Sequence, residues 1–175
     1  MKKAIALVSI LCLLMVLFIS GCTEQSNTET NNGKTVTMTA EEVFNDMKMD
    51  SDWSTYIKIL YNSLDDGDTL IIHDTIDNIS YNPETNRTTI TFNVSQDENM
   101  GDSLNFPFEG NLTGFYHVGD EVKITGTIKH VKFTYEENGN SVDYELEIFK
   151  EMWTTPDEYM TSQGGALPST SITKT

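Results

Sequence analysis

The side chains that most often carry out chemistry are few in this sequence. The 175 residues include two cysteines, Cys12 and Cys22, and three histidines, His73, His117 and His130. No two histidines have the spacing of a zinc-ligand pair. The sequence also lacks the Gly-x-Ser-x-Gly elbow, the His-Glu-x-x-His helix and the glycine-rich phosphate loop. We therefore predict no catalytic site, no metal site and no bound cofactor.

Cys22 closes a segment that is typical of protein export. Two lysines near the N-terminus precede residues 4–19, which are uncharged and mostly apolar. The run Ile19-Ser20-Gly21-Cys22 resembles the lipobox of exported lipoproteins, in which an aliphatic residue and two small residues precede a cysteine. The resemblance implies that residues 1–22 are a lipoprotein signal peptide and that Cys22 is acylated after cleavage. The chain would then be anchored by lipid at the outer face of the cytoplasmic membrane.

An uncleaved transmembrane anchor is the alternative for this segment. A helix needs ~20 residues to span a bilayer, and residues 4–19 fall short of that length. Both alternatives place the rest of the chain outside the cytoplasm, because the positively charged end stays inside.

The chain is strongly acidic, with 27 Asp plus Glu against 11 Lys plus Arg and a net charge of −16. This charge favours solubility. It also repels the phosphate backbone of nucleic acids, which proteins bind mainly through lysine and arginine. We therefore expect no nucleic-acid partner. The expected partners are the membrane, through lipid on Cys22, and another membrane or cell-surface protein.

The first part of the exported chain is predicted to contain a tether and a helical segment. Residues 23–38 are polar and show no periodicity, which predicts a disordered tether. Thr39 and Glu42 have the spacing of a capping box, which predicts a short helix. Apolar residues then recur at helical spacing, so residues 39–66 are predicted to be helical and to pack on the domain that follows. The residues at this spacing are Trp53, Tyr56, Ile57, Leu60, Tyr61 and Leu64.

Residues 67–153 show the alternation of β-strands, interrupted by turns at 82–86, 119–120 and 137–140. The parity of the apolar residues changes near Asp77, and again beyond Gly126. Such changes predict bends in the first and fourth of five strands. Five strands with these bends predict a mainly β fold, an OB-type barrel preceded by one or two short helices.

Part of this region resembles a known fold family. The runs Phe108-Glu109-Gly110-Asn111-Leu112 and Thr125-Gly126-Thr127-Ile128 are similar to strands three and four of OB-fold domains in small exported archaeal and bacterial proteins. The intervening run Tyr116-His117-Val118-Gly119-Asp120 resembles their linking loop. This resemblance implies the fold but not the ligand, because the fold hosts many functions.

A weaker resemblance is to the membrane-anchored OB-fold haem chaperone of cytochrome c maturation. Tyr159 can be matched to the tyrosine that follows the haem-binding residue of that family, but no histidine or cysteine precedes it here. A carrier of haem or a similar cofactor is therefore the alternative function.

The face of strands two and three is where OB folds most often bind ligands. The residues predicted to face outward there are Thr89, Thr91, Asn93 and Asn105. None is aromatic or basic, which disfavours nucleic-acid binding. We expect a membrane-anchored, extracytoplasmic binding or scaffolding module that uses this face for an unknown ligand.

Four Asn-x-Ser/Thr sequons lie on the exported side, at Asn78, Asn86, Asn93 and Asn111. Each is a possible glycosylation site, and Asn86, in a predicted turn, is the best placed. The last segment, residues 154–175, is rich in serine and threonine and is predicted to be a flexible tail.

Overall fold

The computed structural model describes residues 33–52, 54–94, 102–137, 139–161 and 165–175. The predicted signal peptide, the predicted lipidation site Cys22, most of the predicted tether and Trp53 lie outside the described residues. The described part is mainly β, as predicted, but it contains more strands than the predicted five. In chain order the elements are β1 (Thr35–Met38), α1 (Ala40–Asp46), β2 (Met47–Asp52), β3 (Tyr56–Tyr61), β4 (Thr69–Thr75), β5 (Asn78–Asn82), β6 (Arg87–Asn93), β7 (Ser103–Glu109), β8 (Glu121–Glu137), β9 (Asn140–Phe149), α2 (Pro156–Thr161) and β10 (Ile172–Lys174).

The strands form two sheets. The larger has the order β1-β4-β8-β9-β3-β2, with β10 also paired to β8, and the smaller has the order β5-β6-β7. The 17-residue strand β8 changes partner along its length, because residues 121–127 pair with β4 and residues 128–137 pair with β9. We call residues 128–137 with β9, β3 and β2 the extension sheet. The remaining strands of both sheets form a curled half-barrel.

The position where β8 changes partner depends on a glycine. A Cβ on Gly126 would collide with the ring of Phe149, which packs directly against the backbone there. The sequence predicted a special role for this glycine as a bend. In the structure β8 is continuous from Glu121 to Glu137 and changes its pairing partner just beyond this glycine, where the missing side chain makes room for the aromatic ring.

The predicted first strand is divided between the two sheets. β4 belongs to the large sheet and β5 to the small one, so the predicted change of parity near Asp77 marks a change of sheet. Ile76, between the two strands, is 1% exposed. Its backbone donates to Asp120 O at 3.0 Å and accepts from Gly119 N at 2.9 Å, which holds the corner in place.

Buried apolar residues form two separate clusters. The larger fills the half-barrel and includes Ile90, Phe92 and Val94 of the predicted strand two. The smaller contains Ile57, Val131 and Leu146 and lies on one face of the extension sheet.

The segment 39–66 is helical only at its start. α1 begins at the predicted capping box, in which Glu42 N donates to Thr39 Oγ1 at 3.1 Å and Thr39 N donates to Glu42 Oε2 at 2.8 Å. The predicted helix beyond it is wrong, because β2 and β3 form an antiparallel hairpin there. β3 is rich in isoleucine and tyrosine, which suit strands, and its parallel pairing with β9 overrides the helical spacing.

The predicted tether ends earlier than residue 38. β1 pairs in parallel with β4, and the chain before it is fastened to Asp68, whose carboxylate accepts from Lys34 N at 2.9 Å. Burial alone would raise the pKa of Asp68, but hydrogen bonds from Asp65 and Lys34 outweigh it and lower that pKa. The segment is too short for its alternation to be recognised without its partner strand.

The predicted flexible tail is also corrected. Leu167 is fully buried, and its backbone bridges β7 in parallel, donating to Pro107 O at 2.8 Å and accepting from Glu109 N at 2.9 Å. β10 then pairs antiparallel with β8, with Ile172 opposite Ile124. Residues 165–175 therefore complete the half-barrel core, so this core does not end at residue 153.

The two described α-helices have seven and six residues, and no described helix is long and apolar enough to span a bilayer.

Candidate ligand-binding face

The outer face of the small sheet brings together the four residues predicted to bind a ligand. Ile90, Phe92 and Phe108 of β6 and β7 point into the core, so the alternate side chains point outward. Thr91 lies directly opposite Asn105. The same register places Thr89 opposite Pro107 and Asn93 opposite Ser103.

Hydrogen bonds between side chains orient the polar groups of this face. Thr91 Oγ1 donates to Asn105 Oδ1 at 2.7 Å, and Asn105 Nδ2 donates to Ser103 Oγ at 3.3 Å. The backbone of Asn93 donates to Asp77 Oδ2 at 2.7 Å. The amide of Asn105 is therefore held by Thr91 of the neighbouring strand and by Ser103 of its own strand, which fixes its orientation.

Two adjoining grooves cross this face. One has a volume of about 670 Å³ and is lined by Asn82, Thr85, Arg87, Thr89, Asn105, Pro107 and Thr161. The other, of about 460 Å³, shares Thr85 and Arg87 with the first and continues along Glu109, Glu158 and residues 165–166. We call the two together the trough. Both volumes fall in the range of ligand sites in proteins.

The turn between β5 and β6 forms one end of the trough, and hydrogen bonds fix its conformation. Asn86 has a φ of 50°, a left-handed conformation that asparagine tolerates better than most residues. Its side chain accepts from Tyr81 Oη at 3.0 Å, and its carbonyl accepts from Gly110 N at 2.8 Å. Asn82 Oδ1 accepts from Glu84 N at 2.9 Å, which closes the turn.

Two features of the site were not predicted from the sequence. The first is Thr88, fully buried, whose hydroxyl donates to Gly110 O at 2.7 Å and accepts from Leu112 N at 2.9 Å, so it fixes the end of β7. The second is the wall formed by Thr161 and residues 165–166. Gly165 lies so close to the carbonyl of Met152 that no Cβ fits there. In the sequence, the one indication that this wall packs against the sheet was Leu167, an apolar residue in a polar segment that directly follows the wall.

The outer face of the extension sheet has a different chemistry, dominated by charges. Glu145 accepts from Lys58 Nζ at 3.1 Å, pairs with Lys132 Nζ at 3.0 Å, and lies 3.1 Å from His130 Nε2. The hydrogen bonds from Lys132 and Lys58 lower the pKa of Glu145 to about 2. Both lysines are held by the same carboxylate, and Asp143 and Glu147 lie on the same face of β9, which makes the face a poor site for an anion.

The three histidines lie apart, each beside a different carboxylate. His73 Nε2 is 2.9 Å from Glu121 Oε1 but outside hydrogen-bond geometry, whereas His117 Nδ1 lies 3.6 Å from Asp120 Oδ2. His130 belongs to the Glu145 network. Within the described ranges, no group of three or more histidine, cysteine or acidic side chains is arranged to hold a metal ion.

All four sequon asparagines are exposed. Asn78 and Asn93 lie on the same outward face as Thr91, and Asn86 lies in the turn at the end of the trough. Asn111 lies beyond β7, where its side chain accepts from Thr113 N and Thr113 Oγ1. A glycan on Asn78 or Asn93 would compete for the face that we expect to bind a ligand.

Tyr159, the residue matched to the haem chaperones, packs against other aromatic rings. Its ring centroid lies 5.5 Å from that of Trp153 and 6.5 Å from that of Phe133.

Comparison of the chain with protein-family models and with curated proteins finds no match in either set.

Proposed function

We propose that this chain is a lipid-anchored, extracytoplasmic binding module, and that the trough on the small sheet is its ligand-binding face. The observation that carries the proposal is the trough itself. It is a groove of ligand size whose wider part is lined mainly by amide and hydroxyl groups, on a sheet whose opposite side packs on the half-barrel core. The lipid anchor rests on the lipobox ending at Cys22.

We further propose that the half-barrel is of the OB type. In this proposal β4 and β5 are the two halves of strand one, and β6, β7 and β8 are strands two to four. Residues 167–174 then act as strand five, since they bridge β7 in parallel and pair with β8 antiparallel. β9, which the sequence suggested as strand five, becomes part of the extension sheet.

The ligand class that fits the trough is a neutral, hydroxyl-rich molecule such as a glycan. Amides and hydroxyls both donate and accept, so they match sugar hydroxyls in either orientation. Arg87 lies opposite Glu109 in the strand register, and Glu151 and Glu158 also line the trough, so its charged groups are mostly acidic. The net charge of −16 disfavours an anionic ligand.

The test is an NMR titration of the isotopically labelled chain with neutral oligosaccharides. We expect shifts in Thr89, Thr91 and Asn105, and an affinity about tenfold weaker for Asn105→Ala, since one or two net hydrogen bonds are lost. Thr134→Val is the matched control, because Thr134 Oγ1 makes a similar bond, to Asp143 at 2.7 Å, on the extension sheet. Equal losses in both variants, or shifts confined to other residues, would contradict the proposed face.

The anchor has a separate test. Mass spectrometry of the native protein should find a chain that begins at a lipid-modified Cys22. An intact Met1 would contradict the proposed location and leave the trough to be judged by the titration alone.

A further inference from the structure

The loop between β7 and β8 exposes apolar side chains on an otherwise polar and acidic protein. Phe115 is 69% exposed and Val118 is 61% exposed. Four large apolar residues are exposed within the described part of the chain, and these two lie three positions apart in one loop. Residues 110–119 contain no aspartate, glutamate, lysine or arginine.

The exposure of these side chains does not result from a loose loop. Leu112 is buried in the half-barrel core, and its carbonyl accepts from Phe115 N at 2.9 Å. Tyr116 Oη donates to Ile172 O at 2.9 Å, and Gly119 N donates to Ile76 O at 2.9 Å. The loop is therefore fastened at both ends and in the middle, and it keeps the side chains of Phe115 and Val118 exposed to solvent.

Amphipathic side chains lie beside the two apolar residues, because Tyr116 and His117 separate them in the chain and Lys174 lies next to Tyr116. Lys174 Nζ lies 5.8 Å from the centroid of the Tyr116 ring and 2.6 Å from Asp120 Oδ2. The side chain of His117 is 66% exposed. Tyrosine and lysine beside exposed apolar residues are typical of proteins at the boundary between lipid headgroups and acyl chains.

We propose that residues 110–119 insert Phe115 and Val118 into the surface of an electrically neutral lipid bilayer. This inference rests on the lipid anchor in the proposed function. The anchor holds the loop close to the bilayer at a high effective concentration, so a contact made by two apolar side chains is enough to populate the inserted state. An anionic bilayer fits less well, because the acidic protein is repelled by it.

The length of the chain before the half-barrel allows this contact. Gly33 lies against Gly67, just before β4, and the loop is fastened at Ile76, just after β4. The nine residue steps from Gly67 to Ile76, which include β4, separate these points by at most roughly 30 Å. The eleven residue steps from Cys22 to Gly33 can extend to at most ~37 Å, which exceeds that separation.

The experiment uses the mature chain coupled through the Cys22 thiol to a maleimide lipid in phosphatidylcholine vesicles. Cys22 is the single thiol of that chain, since Cys12 lies in the signal peptide. Hydrogen exchange in residues 110–119 should be about tenfold slower than in the alkylated chain in solution, as expected for a loop that is covered for nine-tenths of the time. The double variant Phe115→Ser with Val118→Ser should lose the protection. Met49→Ser, which removes another exposed apolar side chain, should retain it.

A second readout measures contact with lipid directly. Tryptophan fluorescence of Phe115→Trp should be quenched by brominated phosphatidylcholine more strongly than that of the parent chain or of Met49→Trp. Equal exchange with and without vesicles, or equal quenching at positions 115 and 49, would overturn the proposal.

Other outcomes identify which idea fails. Protection that appears only when membrane proteins are added to the vesicles would assign the loop to a protein partner and overturn the lipid contact. Native protein with lipid on Cys22 but an unprotected loop would overturn this inference alone. Native protein without lipid on Cys22 would overturn the proposed anchor and this inference together.

Discussion

The half-barrel and the extension sheet are both built from twisted strands, but they are stabilised in different ways. Among the residues that the structure describes, the half-barrel cluster contains seventeen buried apolar residues, whereas the extension cluster contains three. The outer face of the small sheet in the half-barrel is dominated by threonine and asparagine, and that of the extension sheet by an ion network around Glu145. A region with a large core can leave the polar groups of its outer face available for a ligand. In the extension sheet, by contrast, the charged groups of the outer face are already engaged with one another around Glu145.

Aromatic packing supplements the small core of the extension sheet. Phe133 and Tyr144 stack with centroids 4.9 Å apart and planes 4° from parallel, and Trp153 lies 5.3 Å from Phe133. Lys129 Nζ is 6.0 Å from the centroid of the Trp153 ring. The chain around α2 thus covers one face of the extension sheet before it returns to close the half-barrel.

The largest expected effect on stability comes from truncating one buried leucine in each of the two clusters. Leu167→Ala should lower the free energy of unfolding by about 3–5 kcal/mol, because Leu167 is fully buried among well-packed neighbours. Leu146→Ala should cost less, about 2 kcal/mol, since its smaller cluster can relax around the cavity. Urea denaturation of both variants measures the difference. Equal losses would remove the distinction between the two cores.

The junction between the regions should be nearly as sensitive. Gly126→Ala forces a methyl group into the ring of Phe149 and should destabilise the protein by about 1–3 kcal/mol. Adding Phe149→Leu should recover part of that loss, which a double-mutant cycle in urea would reveal. Gly114→Ala is the control, because a Cβ at that position would have nothing within 4 Å. If the Gly126→Ala variant has the same free energy of unfolding as the parent chain, the ring of Phe149 moves aside at no cost and the junction is not sensitive.

Tyr61, at the end of β3, links the extension sheet to the half-barrel cluster and makes stability depend on alkaline pH. Burial, with the nearby charge of Glu147, raises the pKa of Tyr61 from 10.0 to about 12. Because the folded-state pKa exceeds the unfolded one, its contribution is complete below pH 10 and is lost as the pH rises from 10 through 12. The free energy of unfolding should fall by about 1.4 kcal/mol per pH unit in this window. Tyr61→Phe should flatten that slope, and a slope unchanged in the variant would contradict the assignment.

The ion network should have the smallest effect on global stability. Glu145 has its pKa lowered to about 2 by Lys132 and Lys58, so its contribution is present above pH 4.5 and is lost as the pH falls through 2. An NMR titration of the Glu145 carboxyl should show a midpoint near 2 that rises in Lys132→Met. Lys123→Met, a charge removed from the same strand outside the network, should leave the midpoint in place. A normal midpoint in the parent chain would show that the extension sheet does not depend on its charges.

Local patterns in the sequence were enough to predict several elements. The capping box at Thr39 and Glu42 starts α1, and the alternation of Ile90, Phe92 and Val94 places β6 with the expected face inward. The outward positions of Thr91 and Asn105 follow from the same alternation. These features depend on residues close together in the chain, so the sequence contains all the information that they need.

Tertiary structure decided the elements that depend on distant partners. Residues 56–61 satisfy both a helical and a strand pattern, and parallel pairing with β9 selects the strand. Leu167 and Ile172 are isolated apolar residues in a polar segment, and only the edges of β7 and β8 make that segment part of the core. One wall of the trough belongs to the same segment. The physical reason is that a short strand gains its stability from the hydrogen bonds and burial that a remote strand provides, and that partner cannot be read from the segment itself.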